Sequence, residues 1–288
     1  MTSVAVPIVR VDGARRTAQD DALAIEEPLE VRLAFPGREL AKKPEEKSIS
    51  ITMRTPGDDV ALALGFLVSE GIIHTAADVD DARHCGPPVR EDATSNIVKI
   101  TLGAGARFDG ARLERHFYTS SSCGVCGKTS LEAVRSALHA PLVAGAPRIT
   151  PQTVHGLPRT LREAQLTFER TGGLHAAGLF DATGRLLLLR EDVGRHNAVD
   201  KVVGEQLRAG ALPLRDRILL VSGRASFELV QKAVMAGVAI LAAVGAPSSL
   251  AVELAREEHL TLLGFVRDGR FNVYTGEERL VGAGAASS

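Results

Sequence analysis

From residue 173 to residue 267 the chain repeats one pattern, and no other feature restricts its fold so strongly. A short unbroken apolar run is followed by a small-residue turn and then by a stretch with apolar residues at helical spacing. RLLLLRED, DRILLVSG, VAILAAVG and LTLLGFV are the apolar runs, and HNAVDKVVGEQLRAG, ASFELVQKAVMAG and SLAVELAREEH are the helical stretches between them. Apolar strands without polar alternation need cover on both faces, and alternating helices supply it. The expectation is therefore an α/β fold around a mostly parallel sheet. GLHAAGLFD and RLLLLRED, separated by ATG, read as a hairpin that opens this region. Ligands in such sheets bind beyond the carboxyl ends of the strands, which directs attention to Ser222 and Gly223, Gly245 and Ala246, and residues 265–270.

The first third has another rhythm. Residues 29–35 (LEVRLAF), 48–53 and 96–102 (NIVKITL) alternate apolar and polar positions, as half-buried strands do. After Pro56 and Gly57, Asp58 and Asp59 are placed to cap a helix that continues VALALGFLVSEGII. The first twenty-odd residues and the last eight, 281–288, read as frayed ends. The boundaries that follow are a smaller β-rich subdomain over residues 1–118, a cysteine-bearing segment over 119–140, and an α/β subdomain over 141–288.

Composition removes several function classes. With 288 residues, 45% hydrophobic and 24% charged, the chain is an ordinary globular one and not a disordered one. A net charge of −1 argues against a dedicated nucleic-acid binder, which needs a basic excess to neutralise phosphates. Seven of the 34 cationic residues are Lys and the rest Arg. Arg forks suit phosphate and carboxylate, although an Arg- and Ala-rich chain also reflects base composition. MTSVAVPIVRVDGARR lacks the cationic start and apolar core of a secretory signal. The twenty uncharged residues 233–252 are interrupted by Gly237, Gly245 and Pro247, so they read as helix end, buried strand and turn and not as a membrane span. Three cysteines without an export signal point to a cytoplasmic chain with reduced thiols.

Two of those cysteines carry the chemistry. Residues 118–132 read YTSSSCGVCGKTSLE, with Cys123 and Cys126 at CxxC spacing in a Ser- and Gly-rich loop. Thr129 followed by Glu132 is a capping box, so a helix is expected over residues 130–138. A helix N-terminus and Lys128 both favour a nearby thiolate. A nucleophilic thiolate with a second thiol in reach is what persulfide or disulfide chemistry requires. Other readings stand beside this one. A structural zinc site would need two more ligands, from Cys85 and scattered histidines such as His84 and His116. Ser122 and the Gly127-Lys128-Thr129 triplet nearly make a phosphate loop, but no buried strand precedes them. A thioredoxin-like pair would need a flanking βαβ unit.

SSCGVCG (121–127), EDVGRHNAVDK (191–201), SGRASFELVQKA (222–233) and APSSLAVELA (246–255) together resemble the FdhD family, the formate dehydrogenase accessory sulfurtransferases. The resemblance covers nearly the whole chain and is weakest over residues 1–25 and the tail. It implies a sulfur carrier: a cysteine desulfurase donates persulfide sulfur to the CxxC loop. The protein then passes that sulfur to the molybdenum of bis(molybdopterin guanine dinucleotide), before this cofactor enters the formate dehydrogenase apoprotein. By the same resemblance Cys123 is the persulfide carrier and Cys126 its partner, with the assignment between the two open. The family's cofactor-binding stretch falls on Phe265, Val266, Arg267, Asp268, Gly269 and Arg270. The family's fold implies a cytidine-deaminase-like mixed sheet with helices on both faces. The deaminase zinc signature is missing from the sequence, which argues against deamination despite the similar fold, and no permanently bound metal is expected. A homodimer is also implied.

Guanine dinucleotides carry pyrophosphates, which Arg forks and helix N-termini accommodate, so GDP-like nucleotides should act as mimics. Arg267 and Arg270 are expected past a strand end, Arg224 in the Ser222-Gly223 turn, and Gly194 and Arg195 before a helix, together forming one anion pocket. Asp192, His196 and Asn197 read as a cap and hydrogen-bond scaffold, with proton handling by His196 as the sharper alternative. His175 reads as a core histidine at a strand end, and Cys85 as a packing residue. The alternative function is a non-catalytic chaperone for the cofactor and the dehydrogenase, in which the CxxC pair is structural. A nucleotide hydrolase would depend on the failed phosphate loop.

Overall fold

The computed structural model describes residues 2–35, 45–88, 95–106, 142 and 145–282. The chain opens with β1 (Ser3–Asp12) and β2 (Arg15–Ala24), a two-stranded antiparallel ribbon. This replaces the frayed end expected there. Its turn is Gly13 and Ala14, and Gly13 supplies a φ of 59°, in the left-handed region that favours glycine.

β3 (Glu27–Phe35), β4 (Glu45–Arg54), β5 (Val79–His84) and β6 (Ile97–Leu102) form a four-stranded sheet in the order β4-β3-β6-β5. Between β4 and β5 lies α1 (Asp59–Ser69), whose sequence is apolar on nearly every side and is accordingly buried nearly throughout. Asp58 stands at the N-cap position, but its side chain makes no cap bond and lies 3.3 Å from Arg190 Nε. Asp59 is the working carboxylate: it accepts from the Gly57 amide and pairs with both sides of the buried Arg54 fork.

The larger sheet has six strands. After α2 (Pro151–Ala164) and the short α3 (Leu166–Thr171) come β7 (His175–Asp181), β8 (Leu186–Asp192), α4 (Arg195–Arg208), β9 (Arg217–Val221), α5 (Phe227–Met235), β10 (Ile240–Ala243), α6 (Ser249–Glu257), β11 (Thr261–Arg267) and β12 (Arg270–Thr275). The order is β12-β11-β10-β9-β7-β8. β9, β10 and β11 run parallel, whereas β7 is antiparallel to β9, and β8 and β12 return as hairpin edges. The sheet is thus mixed and not mostly parallel: apolar runs report burial on both faces, but they carry no information on strand direction.

Burial on both faces follows strand periodicity. Leu219 and Val221 of β9 join one core cluster, and Ile218 and Leu220 join the other. The second cluster packs under α2 through Val154, Leu157 and Leu161. The first cluster spans both sheets, from Leu33 and Ile100 through Leu62 of α1 and Val199 of α4 to Leu179 and Leu241. Helices therefore lie on both faces of the larger sheet. Among the described residues no helix is long and apolar enough to cross a membrane. The uncharged run 233–252 is the end of α5, β10, a turn and the start of α6.

Candidate functional site

The parallel strands β9, β10 and β11 end at one edge of the sheet, and the chain beyond them is laced together by backbone bonds. The Gly245 amide donates to the Gly223 carbonyl (2.9 Å) and the Phe265 amide to the Gly245 carbonyl (3.0 Å). Ala225 donates to the Ala246 carbonyl and Ser248 to that of Ala225. A Cβ at Gly245 would stand 3.0 Å from the Arg224 backbone nitrogen, so this lacing depends on glycine. The three strand-end segments singled out in the sequence are adjacent. Because β7 and β8 run antiparallel, the start of β7 (His175) and the end of β8 (Asp192) lie beside them and face each other in register.

The segment 265–270 is a hairpin and not a post-strand loop: Arg267 ends β11 and Arg270 begins β12, with Asp268 and Gly269 as the turn. Phe265 is 44% exposed at a φ of 52°, beside a register shift between Gly264 and Arg267. A bulky residue held at positive φ stores backbone strain, and surrounding structure must hold it there. Val266 turns the other way into the second core cluster and is fully buried. Arg267 Nη1 donates to the Val244 carbonyl (2.6 Å), which ties the hairpin to the end of β10. Arg224 and Arg270 are exposed.

The junction of β8 and α4 supplies the other wall. Asp192 is fully buried; Lys201 Nζ lies 2.8 Å from its Oδ2, while the Thr55 amide donates to Oδ2 (3.1 Å) and the Gly194 amide to Oδ1 (2.8 Å). Asn197 Nδ2 donates to Asp192 Oδ1 (2.9 Å) and to the Met53 carbonyl (2.7 Å). A Cβ on Gly194 would fall 2.9 Å from Asn197 Nδ2, so a side chain there would press on the Asn197 amide. Asp192 and Asn197 are therefore scaffold, and they bind the end of β4 to the start of α4.

His196 is separate from that scaffold. Its Nε2 lies 3.3 Å from Ser226 Oγ. Ser226 occupies the N-cap position of α5, yet its hydroxyl makes no cap bond. Burial, reinforced by Lys232 and Arg195 and opposed by Glu228, pushes His196 down to about 4, so the imidazole is neutral at neutral pH and offers a lone pair. His175 is half-buried, not a core residue. Burial and then Arg195 lower its pKa against the pull of Asp192. A Cβ on Gly223 would stand 3.5 Å from His175 Nδ1 and 3.8 Å from Arg195 Cδ, so these three positions share one surface. Ser222 Oγ accepts from the Ala176 amide (2.9 Å) and serves as a lock between β9 and β7. Arg195 Nε is buried without a hydrogen-bond partner.

The edge thus gathers Gly194, Arg195 and His196, the Ser222-Gly223 turn with Arg224, and the hairpin at Phe265, two of these segments at helix N-termini. Such a surface stabilises negative charge and offers a neutral proton acceptor beside it. Sequence reasoning missed Ser226 and Lys232. Ser226 was legible as a serine opening a helical run, but its release from capping shows only in three dimensions. Lys232 is held by Asp200, with Nζ 2.8 Å from both carboxylate oxygens. No group of three or more His, Cys, Asp or Glu able to hold a metal occurs among the described residues. Cys123, Cys126, Lys128, His116 and the helix expected over 130–138 lie outside the described residues. Cys85 is a free, half-buried cysteine.

A mixed α/β protein whose strand edge carries Arg195, Arg224 and Arg267 is the class that fold and site define. A family model described as FdhD/NarQ matches residues 38–281. A sulfur carrier protein FdhD of Streptomyces coelicolor is 51% identical over 95% of this chain and 94% of its own. The proteins of that name from Anaeromyxobacter dehalogenans and Mycobacterium tuberculosis are 47% and 46% identical, over 95% and 90% of this chain and 92% of each of theirs. The crystal structure of a Desulfotalea psychrophila protein assigned as a formate dehydrogenase accessory protein superposes with a TM-score of 0.71. It is 24% identical, and the match covers 98% of this chain and 100% of that one, so it bears on the fold alone. The chain belongs to the FdhD/NarQ family.

Proposed function

We propose that this protein is a cytoplasmic sulfur carrier that supports formate dehydrogenase maturation. The observation that carries the reading is the 51% identity, over nearly full length, to a protein named sulfur carrier protein FdhD, in a chain that places two cysteines in SSCGVCG. A thiolate of Cys123 or Cys126 attacks the outer sulfur of a desulfurase persulfide. The S–S bond breaks, the desulfurase leaves as thiolate, and the carrier holds the sulfur as its own persulfide. Attack by the second cysteine on the carrier's inner sulfur then forms a Cys123–Cys126 disulfide and expels the outer sulfur as hydrosulfide, which takes up the position of a metal ligand on the substrate. An external thiol reduces the disulfide for the next cycle.

The substrate in this reading is the molybdenum of bis(molybdopterin guanine dinucleotide). Its pyrophosphates suit the edge built from Arg195, Arg224 and the 265–270 hairpin, with α4 and α5 directing their N-termini there. Residues 119–140, which carry both cysteines in the sequence, serve as the sulfur-delivery segment. The test is maturation: in cells lacking their own carrier, the wild-type chain restores formate dehydrogenase activity and the Cys123→Ala/Cys126→Ala variant does not. Full restoration by the double variant would leave only a chaperone role.

A further inference from the structure

Among the described residues, Thr150, Ser226 and Ser248 stand at the N-cap positions of α2, α5 and α6. Thr150 Oγ1 accepts from the Thr153 amide and Ser248 Oγ from the Ala251 amide, as N-cap side chains ordinarily do. Ser226 has nearly the backbone of Ser248, with φ −82° and ψ 168° against −84° and 161°, yet its hydroxyl makes no cap bond. Backbone geometry therefore does not account for the difference. What does is His196, whose Nε2 lies 3.3 Å from Ser226 Oγ. A forgone N-cap bond is destabilising, so the hydroxyl is held out of its cap at a cost.

We propose that Ser226 donates to a phosphoryl oxygen of a bound nucleoside diphosphate and that His196 is the positioning residue that turns its hydroxyl outward. The inference rests on the reading of this edge as a pyrophosphate site. The His196 imidazole is neutral at neutral pH and so carries one N–H. With that hydrogen on Nε2, His196 donates to Ser226 Oγ and leaves the hydroxyl hydrogen free for a ligand. An ionised phosphoryl group only accepts, so its binding selects this tautomer; the other would turn the lone pairs of Oγ toward the anion. Beside the hydroxyl the first turn of α5 has no side-chain cap. Arg195, next to His196 in the chain, keeps a buried Nε with no hydrogen-bond partner among the described residues. A hydroxyl kept out of its cap and a buried guanidinium nitrogen left unpaired are donors that an acceptor-only ligand would satisfy.

GDP is titrated calorimetrically into the full-length wild type, Ser226→Ala, His196→Leu, the Ser226→Ala/His196→Leu double variant and His196→Gln. Ser226→Ala should bind about tenfold more weakly, the loss of one hydrogen bond to a charged acceptor. His196→Leu should also weaken binding, and the double variant should lose no more than Ser226→Ala alone, because the imidazole acts through the hydroxyl. His196→Gln, whose side-chain amide can donate from close to the place of Nε2, should recover most of the affinity that His196→Leu loses. Wild-type affinity in Ser226→Ala, additive losses in the double variant, or His196→Gln no better than His196→Leu would each overturn the proposal. If Arg224→Ala weakens GDP binding and Ser226→Ala does not, the edge stands and this inference falls; a wild type that binds no GDP overturns both.

Discussion

Gly65 and Gly204 let α1 and α4 cross with their backbones in contact. A Cβ on Gly65 would lie 1.9 Å from the Asp200 carbonyl oxygen, and one on Gly204 would lie 1.8 Å from that of Ala61. This crossing couples the smaller sheet to the helix that carries Arg195 and His196. Gly65→Ala and Gly204→Ala should each destabilise the protein by about 3 kcal/mol or more, since backbone cannot yield as a flexible side chain can. Urea unfolding measures it, and a loss within about 0.5 kcal/mol of zero would contradict the crossing.

Asp192 and Lys201 form a buried pair whose remaining polar atoms are satisfied by Thr55, Gly194 and Asn197. Removing one partner strands a buried charge, so Asp192→Ala or Lys201→Met should cost about 3–5 kcal/mol. The double variant should cost less than the sum of the two. Additive losses in the double-mutant cycle would show that the pair is not coupled.

His196 gives a pH signature. Its folded-state pKa of about 4 lies below the ordinary imidazole value of 6.5, so the unfolded chain binds the proton more tightly. The stabilisation from keeping His196 neutral is complete above about pH 6.5 and is lost as pH falls toward 4. His175 shifts in the same direction and adds to the slope. His196→Gln should flatten the decline in unfolding free energy between pH 6.5 and 4.5. An unchanged slope in the variant would mean that His196 titrates normally in the folded protein.

The anion edge is testable without molybdenum. Arg224→Ala and Arg267→Ala should each weaken GDP binding about tenfold in calorimetry, the loss expected for one charged hydrogen-bond donor. Arg267→Ala should also loosen the hairpin, because Nη1 holds the Val244 carbonyl. Affinity unchanged in both variants removes this edge as the nucleotide site.

The alternating last third was legible because its strands are short unbroken apolar runs that split their residues between two cores, as Ile218 and Leu219 do, with apolar residues at helical spacing between them. Strand order and direction were not, since pairing of β7 with β9 leaves no trace in periodicity. The β1–β2 ribbon escaped notice because its two faces never separate into a buried and a polar set, although Asp12-Gly13 was a visible turn signal. α2 was missed despite Thr150 as N-cap, Pro151 behind it and Val154, Leu157 and Leu161 at helical spacing, because Pro158 inside the run reads as a helix breaker. At the site, the glycines and arginines could be singled out from position alone. The pairing of His196 with Ser226, thirty residues apart in sequence, required the fold.

Sulfur loading of the CxxC pair tests the central claim most directly. The purified chain is incubated with a cysteine desulfurase and cysteine, and its intact mass is taken before and after reduction. A gain of one sulfur atom, removed by reduction and missing in Cys123→Ala/Cys126→Ala, is the predicted result. A wild-type mass that never changes under conditions where the desulfurase is itself loaded would contradict the account.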